Sequence, residues 1–129
     1  MAPETVKVLV VDDDRDSAVV LQQLLQLDGY AVLTADGGAE ALPLVAREEP
    51  LCVLIDLNMP EMGGAELARH IRAQHGTALV LVAVTGVSDS EAMRVAELAG
   101  IDHVLPKPID LARLRQILPP IGSAADLSR

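Results

Sequence analysis

Segment 51–56 reads Leu51-Cys52-Val53-Leu54-Ile55-Asp56, five apolar residues closed by an acid. A short unbroken apolar run of this kind is typical of a β-strand that is covered on both faces of a sheet. Three other apolar runs end as abruptly in polar residues: Val8 to Val11 before Asp12-Asp13-Asp14, Leu79 to Val84 before Thr85-Gly86, and Val104-Leu105 before Pro106-Lys107-Pro108. Because sites in open parallel α/β sheets form at the carboxyl ends of the strands, these segments predict one site that contains carboxylates, a hydroxyl and an amine.

Apolar runs alternate five times with amphipathic stretches, which predicts repeated β-α units around a parallel sheet. The predicted strands cover residues 6–11, 31–35, 51–56, 79–84 and 103–105. The predicted helices cover residues 15–28, 39–48, 65–74 and 110–118, with a further helix after the N-cap Ser88 that turns Ala92, Val95, Ala96 and Ala99 to one face. Pro43 falls inside the second helix and is expected to kink or delay it, because proline lacks the backbone N–H.

The chain has 129 residues, most simply one domain, and we expect a domain over residues 6–118 with an N-terminal extension (1–5) and a C-terminal tail or linker (119–129). Its net charge of -9 argues against a nucleic acid as a direct partner, since phosphate binding needs a basic face. The apolar runs are too short to insert into a membrane, and no secretory signal is recognisable near Met1. We therefore expect a soluble cytoplasmic protein. The single cysteine, Cys52, lies mid-strand and is expected to be a buried, unreactive thiol.

The strand ends offer the parts of a phosphoryl-transfer site. A carboxylate nucleophile must stand on a rigid element, and Asp56 is placed for that role. Lys107 would offset the charge of the phosphoryl oxygens, and the hydroxyl of Thr85 would donate a hydrogen bond to one of them.

A divalent cation is needed to bring a phosphoryl group to these acids. Mg²⁺ prefers oxygen ligands and retains several waters, so a few carboxylates and one carbonyl suffice. Asp12 and Asp13 would lie beside Asp56 if the first and third strands are neighbours, and the backbone carbonyl of Asn58 would supply a further oxygen. Asp14 is better explained as a helix N-cap.

In this order, the motifs Asp12-Asp13, Asp56 before Met59-Pro60 and Gly64, Thr85-Gly86 and Lys107-Pro108 resemble the receiver domain of bacterial two-component response regulators. The resemblance covers roughly residues 6–118. It implies a flavodoxin-like (βα)5 three-layer sandwich with strand order 2-1-3-4-5. It also implies Mg²⁺-dependent transfer of a phosphoryl group from a histidine kinase to Asp56, and a cis peptide bond between Lys107 and Pro108.

The resemblance further implies a module that signals through protein–protein contacts and at most catalyses its own phosphorylation and dephosphorylation. The stretches 99–103 and 107–111 resemble receivers of hybrid histidine kinases, which favours a histidine-containing phosphotransfer protein as a second partner. One position departs from the family: the switch residue three before the lysine is usually aromatic, and here it is Val104. Its neighbour His103 is expected to point to the opposite face of the strand.

The alternative from the enzyme class is a phosphatase of the haloacid-dehalogenase type. Its nucleophile would be Asp12, with Asp14 as the acid/base, and the run Asp12-Asp13-Asp14 contains that spacing. However, Asp16 stands near the position where that motif wants threonine or valine, and the chain leaves little room for a substrate-enclosing cap. The location of a trapped phosphoryl group, on Asp12 or on Asp56, distinguishes the two readings.

Overall fold

A computed structural model describes residues 6–59, 63–86 and 90–119, in which strands and helices alternate along the chain. The strands are β1 (Lys7–Val11), β2 (Ala31–Ala35), β3 (Cys52–Asp56), β4 (Val80–Thr85) and β5 (His103–Pro106). The helices are α1 (Arg15–Leu27), α2 (Gly38–Glu48), α3 (Gly64–His75), α4 (Ser90–Leu98) and α5 (Leu111–Ile117). The proposed extension 1–5, the cap Ser88 and residues 120–129 of the proposed tail lie outside the described residues.

The five strands form one parallel sheet in the order β2-β1-β3-β4-β5, which confirms the predicted flavodoxin-like arrangement. Val10 of β1 lies opposite Thr34 of β2 on one side and Leu54 of β3 on the other. Asp56 closes β3 opposite Val84 of β4. Since β1 and β3 are neighbours, the acids that follow β1 and the acid that closes β3 meet at one edge of the sheet.

Helices cover both faces of the sheet, so the predicted three-layer sandwich is confirmed. Successive residues of a strand point to opposite faces, and β3 shows this alternation. On the α1 and α5 side the buried residues include Val8, Val10, Cys52, Leu54, Val82, Leu105, Ala18, Leu25 and Leu114. On the α2, α3 and α4 side they include Leu9, Val53, Ile55, Leu81, Ala83, Ala41, Val45, Leu67, Ile71 and Ala96.

Helix α2 continues through Pro43, and the predicted delay of this helix is wrong. The helix begins at Gly38, one residue earlier than predicted, and runs to Glu48. Pro43 is exposed, while Ala41 and Val45 are buried against the sheet. The lost backbone hydrogen bond therefore falls on the solvent side, and packing of the inner face holds the helix together.

The predicted inner face of α4 is correct in part. Ala96 and Ala99 are buried and Ala92 is half-buried, but Val95 is 39% exposed. Val95 lies about 100° around the helix from Ala96, at the margin of a narrow buried stripe. Within the described residues, no helix is both long and apolar enough to span a bilayer.

Gly64, the first residue of α3, is packed against the backbone that carries Asp56. A Cβ atom on Gly64 would lie 2.6 Å from the carbonyl oxygen of Asp56 and 2.8 Å from the Cα of Leu57. Backbone atoms of a buried strand cannot move aside as a flexible side chain can. Glycine at this position therefore lets α3 begin directly beneath the end of β3.

We expect Gly64→Ala to lower the free energy of unfolding by about 2 kcal/mol, in the range of overpacked cores. Gly63→Ala is the matched control, because nothing lies within 4 Å of a Cβ atom there. Urea unfolding of both variants checks the prediction. Equal midpoints for the two alanine variants would contradict the close approach at Gly64.

Candidate functional site

The ends of four strands place the predicted site residues at one edge of the sheet. Asp12 follows β1, Asp56 is the last residue of β3, Thr85 is the last residue of β4, and Lys107 follows β5. Asp56 and Thr85 are 5% and 2% exposed, whereas the acids after β1 are more accessible. A buried acid at the end of a fully buried strand has few ways to move, and this rigidity suits a reacting group.

Three carboxylates form a compact cluster at this edge. One carboxylate oxygen from each of Asp12, Asp13 and Asp56 lies within 4.8 Å of the other two. The turn after β1 is held by two hydrogen bonds: the Asp12 N–H donates to the Ala35 carbonyl at 3.0 Å, and the Asp14 N–H donates to Oδ1 of Asp12 at 2.9 Å. The acid pair is thus presented by a defined turn, as the predicted Mg²⁺ ligand set requires.

The cluster perturbs the ionisation of Asp12. Burial raises the pKa of this carboxyl, and the nearby Asp56 carboxylate raises it further. The N–H of Asp14 and the ammonium of Lys107 act in the opposite direction and do not cancel the effect. Asp12 therefore carries its charge at a partly desolvated position beside a second carboxylate, and a bound cation would relieve both effects.

We expect Asp12→Asn to raise the melting temperature by about 3–5 °C without Mg²⁺, since removing the charge ends its partial desolvation and its repulsion by Asp56, worth about 1 kcal/mol for a partly exposed, solvent-screened group. The raised pKa means that the folded protein binds this proton more tightly than the unfolded chain does. Ionised Asp12 therefore lowers the stability of the fold at pH 7. This destabilisation disappears as Asp12 is protonated, when the pH falls through its folded-state pKa. The increase in melting temperature of the variant should shrink over the same acid range.

Thermal melts of both proteins from pH 7 to pH 4 test this prediction, with exposed Asp36→Asn as the control. An unchanged or lower melting temperature of Asp12→Asn at pH 7 would contradict it.

Lys107 faces the cluster from β5. Its Nζ lies 3.2 Å from Oδ2 of Asp56, and its backbone N–H donates to the Thr85 carbonyl at 2.9 Å. The peptide bond between Lys107 and Pro108 is cis, as the resemblance implied. The other oxygen of Asp56, Oδ1, accepts the Asn58 N–H at 2.9 Å. Asp56 is therefore held from both sides, and the role of the Asn58 carbonyl as a metal ligand remains a prediction.

Asp14 caps α1, as predicted. Its carboxylate accepts hydrogen bonds from the Asp16 N–H at 3.2 Å and from the Ser17 hydroxyl at 2.9 Å. The hydrogen bonds from Ser17 lower the pKa of Asp14. A general acid needs a raised pKa and a free proton, so this arrangement disfavours the phosphatase reading, in which Asp14 would be the acid/base.

Val104, the proposed switch position, is half-buried and packs against the apolar cluster on the α2, α3 and α4 side of the sheet. It pairs with Ala83 of β4, two residues before Thr85. Leu105 lies in the cluster on the opposite side, and His103 is exposed. The alternation along β5 agrees with the expectation that His103 and Val104 point to opposite faces.

A cavity of about 490 Å³ opens beside the carboxylates and was missed by the sequence reading. It lies between α1 and the segment that joins β5 to α5, with sheet residues as its floor. Its lining is mostly apolar and includes Val10, Val20, Leu21, Leu24, Leu54, Val84, Pro108, Ile109 and Leu111. The polar lining residues are Asp12, Asp16, Ser17, Asp56 and Lys107. The partly exposed apolar residues of α1 were the available signal, and Val20 is 56% exposed.

Cys52 is buried, as predicted. Burial raises the pKa of its thiol to about 12, so the reactive thiolate is suppressed at neutral pH.

A family model described as "Response regulator receiver domain" matches residues 8–119. The response regulator MprA of Mycobacterium sp. (strain KMS) is 42% identical over 118 residues, which cover 88% of this chain and 50% of that protein. MprA of Mycobacterium tuberculosis (strain ATCC 25177 / H37Ra) is 40% identical over 119 residues, with 88% and 51% covered. The chain thus spans about half the length of these relatives.

Solved structures with the same fold include proteins from two bacteria. The chemotaxis protein CheY4 of Vibrio cholerae superposes with a TM-score of 0.83 at 29% identity, over 89% of this chain and 100% of that one. A response regulator receiver protein from Pseudomonas putida superposes with a TM-score of 0.82 at 31% identity, over 90% and 97% of the two chains.

Proposed function

The chain belongs to the response regulator receiver domain family of two-component signalling, which confirms the resemblance, and we propose that Asp56 is its phosphoacceptor. This proposal rests on the groups that surround the carboxylate of Asp56. Asp56 is 5% exposed, is contacted by the ammonium of Lys107 at 3.2 Å, and has two further carboxylates within 4.8 Å. A nucleophile, a cation-binding cluster and a fixed positive charge thus occupy one edge of the sheet.

In the proposed reaction a carboxylate oxygen of Asp56 attacks the phosphorus of a phosphohistidine. The new oxygen–phosphorus bond forms as the phosphorus–nitrogen bond breaks, and the histidine nitrogen keeps the electron pair. Lys107 moves its ion pair from the carboxylate to the phosphoryl oxygens, and the hydroxyl of Thr85 donates to one of them. The backbone N–H of Asn58 keeps the carboxylate oriented through Oδ1.

The residues present fit a Mg²⁺ ion. Two oxygens bound to one Mg²⁺ at about 2.1 Å lie at most about 4.2 Å apart. The oxygens of Asp12, Asp13 and Asp56 are within 4.8 Å of one another, so closing by less than an ångström brings them into range. All three are hard oxygen donors, and we propose that the backbone carbonyl of Asn58 is the fourth ligand that the protein supplies. When bound, Mg²⁺ neutralises charge between the carboxylates and the incoming phosphoryl group.

We propose that the kinase docks on α1, over the cavity beside the site. We propose that the kinase presents its phosphohistidine on an amphipathic helix. An amphipathic helix binds by placing apolar side chains in a groove, and the lining from Val20, Leu24, Pro108 and Ile109 offers such a surface. The cavity reaches Asp56, so a partner seated there would bring its histidine to the nucleophile. A histidine-containing phosphotransfer protein presents the same chemistry and would use the same surface.

Phosphorylation by a small phosphodonor tests the proposed site. The protein is incubated with acetyl phosphate and Mg²⁺, and the modified residue is located by mass spectrometry of peptides after reduction of the acyl phosphate with borohydride. We expect modification at Asp56. Modification at Asp12 would overturn the proposal in favour of the phosphatase alternative. Transfer from purified phosphorylated kinases then identifies the cognate partner.

A further inference from the structure

Arg72, on α3, uses its whole guanidinium group to join three parts of the chain. Its Nε donates to the Gly100 carbonyl at 2.8 Å, and its Nη1 donates to the carbonyls of Gly76 and Leu79, both at 2.8 Å. Its Nη2 pairs with the Asp102 carboxylate at 2.7 Å. The side chain is 15% exposed. One guanidinium therefore joins the end of α3, the start of β4 and the turn between α4 and β5.

Asp102 extends this connection into the sheet. Its carboxylate accepts the Leu81 N–H at 2.9 Å, and its own N–H donates to the Leu81 carbonyl at 2.8 Å. Charged partners make these hydrogen bonds stronger than neutral ones. We call Arg72, Gly100 and Asp102, with the hydrogen bonds that join them to β4, the clamp. It holds the point where the chain leaves α4 and enters β5.

Gly100 is the residue that lets the clamp close. Its φ of 86° lies in the left-handed region that favours glycine, and a Cβ atom there would lie 2.8 Å from Cγ of Arg72. The Ile101 N–H donates to the Ala96 carbonyl at 3.0 Å, which ends the helix. The C-terminal end of α4 is thus held by a hydrogen bond within its own last turn and by a second hydrogen bond from Arg72.

The first part of α4, residues 90–95, is less buried than residues 96–102, which comprise the end of the helix and the turn after it. None of residues 90–95 is buried, and Met93 is 48% exposed. In contrast, Ala96, Ala99 and Ile101 are 1%, 3% and 8% exposed. Segments with little buried apolar surface open at lower free energy than well-packed ones. Residues 90–95 should therefore move more easily than residues 96–102.

We propose that the clamp is the fixed end about which α4 moves when the site changes state. The inference rests on the proposed function, because the change of state is phosphorylation of Asp56. We propose that Thr85 moves when its hydroxyl donates to the new phosphoryl group. Because Thr85 ends the strand that precedes α4, this movement would reach the N-terminal half of the helix first. Val104, the small residue at the switch position, transmits little through its own side chain. Because the clamp holds the C-terminal end of α4, the helix rotates about that end. Arg72 acts as a positioning residue for this response.

Hydrogen exchange measured by mass spectrometry on the full chain tests the clamp. The variants are Arg72→Met and its matched control Arg69→Met, which changes an exposed arginine on the same helix. We expect Arg72→Met to exchange about tenfold faster over residues 96–102 and 79–81, from the loss of hydrogen bonds to a charged group. Residues 7–11 of β1 serve as the internal reference, since global destabilisation would accelerate exchange there as well. Arg72→Lys, which keeps the charge but not the fork, should be intermediate and remains available if Arg72→Met does not fold.

Adding Mg²⁺ and beryllium fluoride, a phosphoryl analogue, tests the pivot. In the unmodified protein we expect exchange to change over residues 90–95 and to stay constant over 96–102. In Arg72→Met the change should extend through residue 102. Equal changes along the whole of α4 in the unmodified protein, or identical exchange in Arg72→Met and Arg69→Met, would overturn the proposal. Failure of the phosphoacceptor assignment is recognised separately, by the absence of modification at Asp56, and leaves the comparison of the two methionine variants intact.

Discussion

Replacing Asp56 with asparagine is expected to reduce phosphoryl uptake by about three orders of magnitude or more, as removal of a nucleophile does in enzymes. The amide has nearly the same shape as the carboxylate, and its oxygen can still accept the Asn58 N–H that now bonds Oδ1 at 2.9 Å. However, it carries no charge and is a poor nucleophile toward phosphorus. The variant should remain folded, because it removes one member of a crowded acid cluster. Uptake is measured with radiolabelled phosphodonor or on a phosphate-affinity gel.

The matched control for this experiment is Asp36→Asn. Asp36 follows β2 at the same edge of the sheet and is exposed, so its replacement changes the net charge equally without touching the cluster. We expect uptake by this control at the level of the unmodified protein. Retention of uptake by Asp56→Asn, with the label found on another acid, would show that the acceptor is misassigned.

Removal of Mg²⁺ is expected to slow phosphorylation by a factor on the order of 10³. Two like charges about 4 Å apart repel by about 4 kcal/mol at an effective dielectric constant of 20, and the phosphoryl group must approach at least one uncompensated carboxylate. Lys107, just after β5, faces this charge at 3.2 Å from Asp56. The rate is measured with acetyl phosphate in the presence of a chelator and again after Mg²⁺ is restored in excess.

The variant Asp13→Asn separates metal binding from nucleophilic attack. Asp13 is exposed and belongs to the carboxylate cluster, while the nucleophile Asp56 is unchanged. We expect this variant to need a higher Mg²⁺ concentration for half-maximal rate and to recover most of its activity when the ion is in excess. A chelator-treated protein that is phosphorylated at the full rate would refute the assignment of the cluster as a metal site.

The strands and the edge on which the site lies were predictable because both depend on local pattern. Apolar runs such as 51–56 specify buried parallel strands, and connections between parallel strands place their carboxyl ends at one edge. Asp12, Asp56, Thr85 and Lys107 were therefore expected at one edge of the sheet, and their closeness followed once β1 and β3 proved to be neighbours. The N-cap role of Asp14 was predictable for the same reason, since its partners Asp16 and Ser17 are close in sequence.

The order of elements, the chemical groups at the strand ends and the small residue at the switch position could all be predicted from the amino-acid sequence. The folded structure was needed to show that Arg72 reaches Asp102, 30 positions away, that Val95 falls outside the buried stripe of α4, and that a cavity lies between α1 and the start of α5. These features depend on contacts between residues that are far apart in the sequence. Periodicity tells which face of an element is apolar, but which side chains meet depends on how the elements pack against one another, and that is settled by the whole fold.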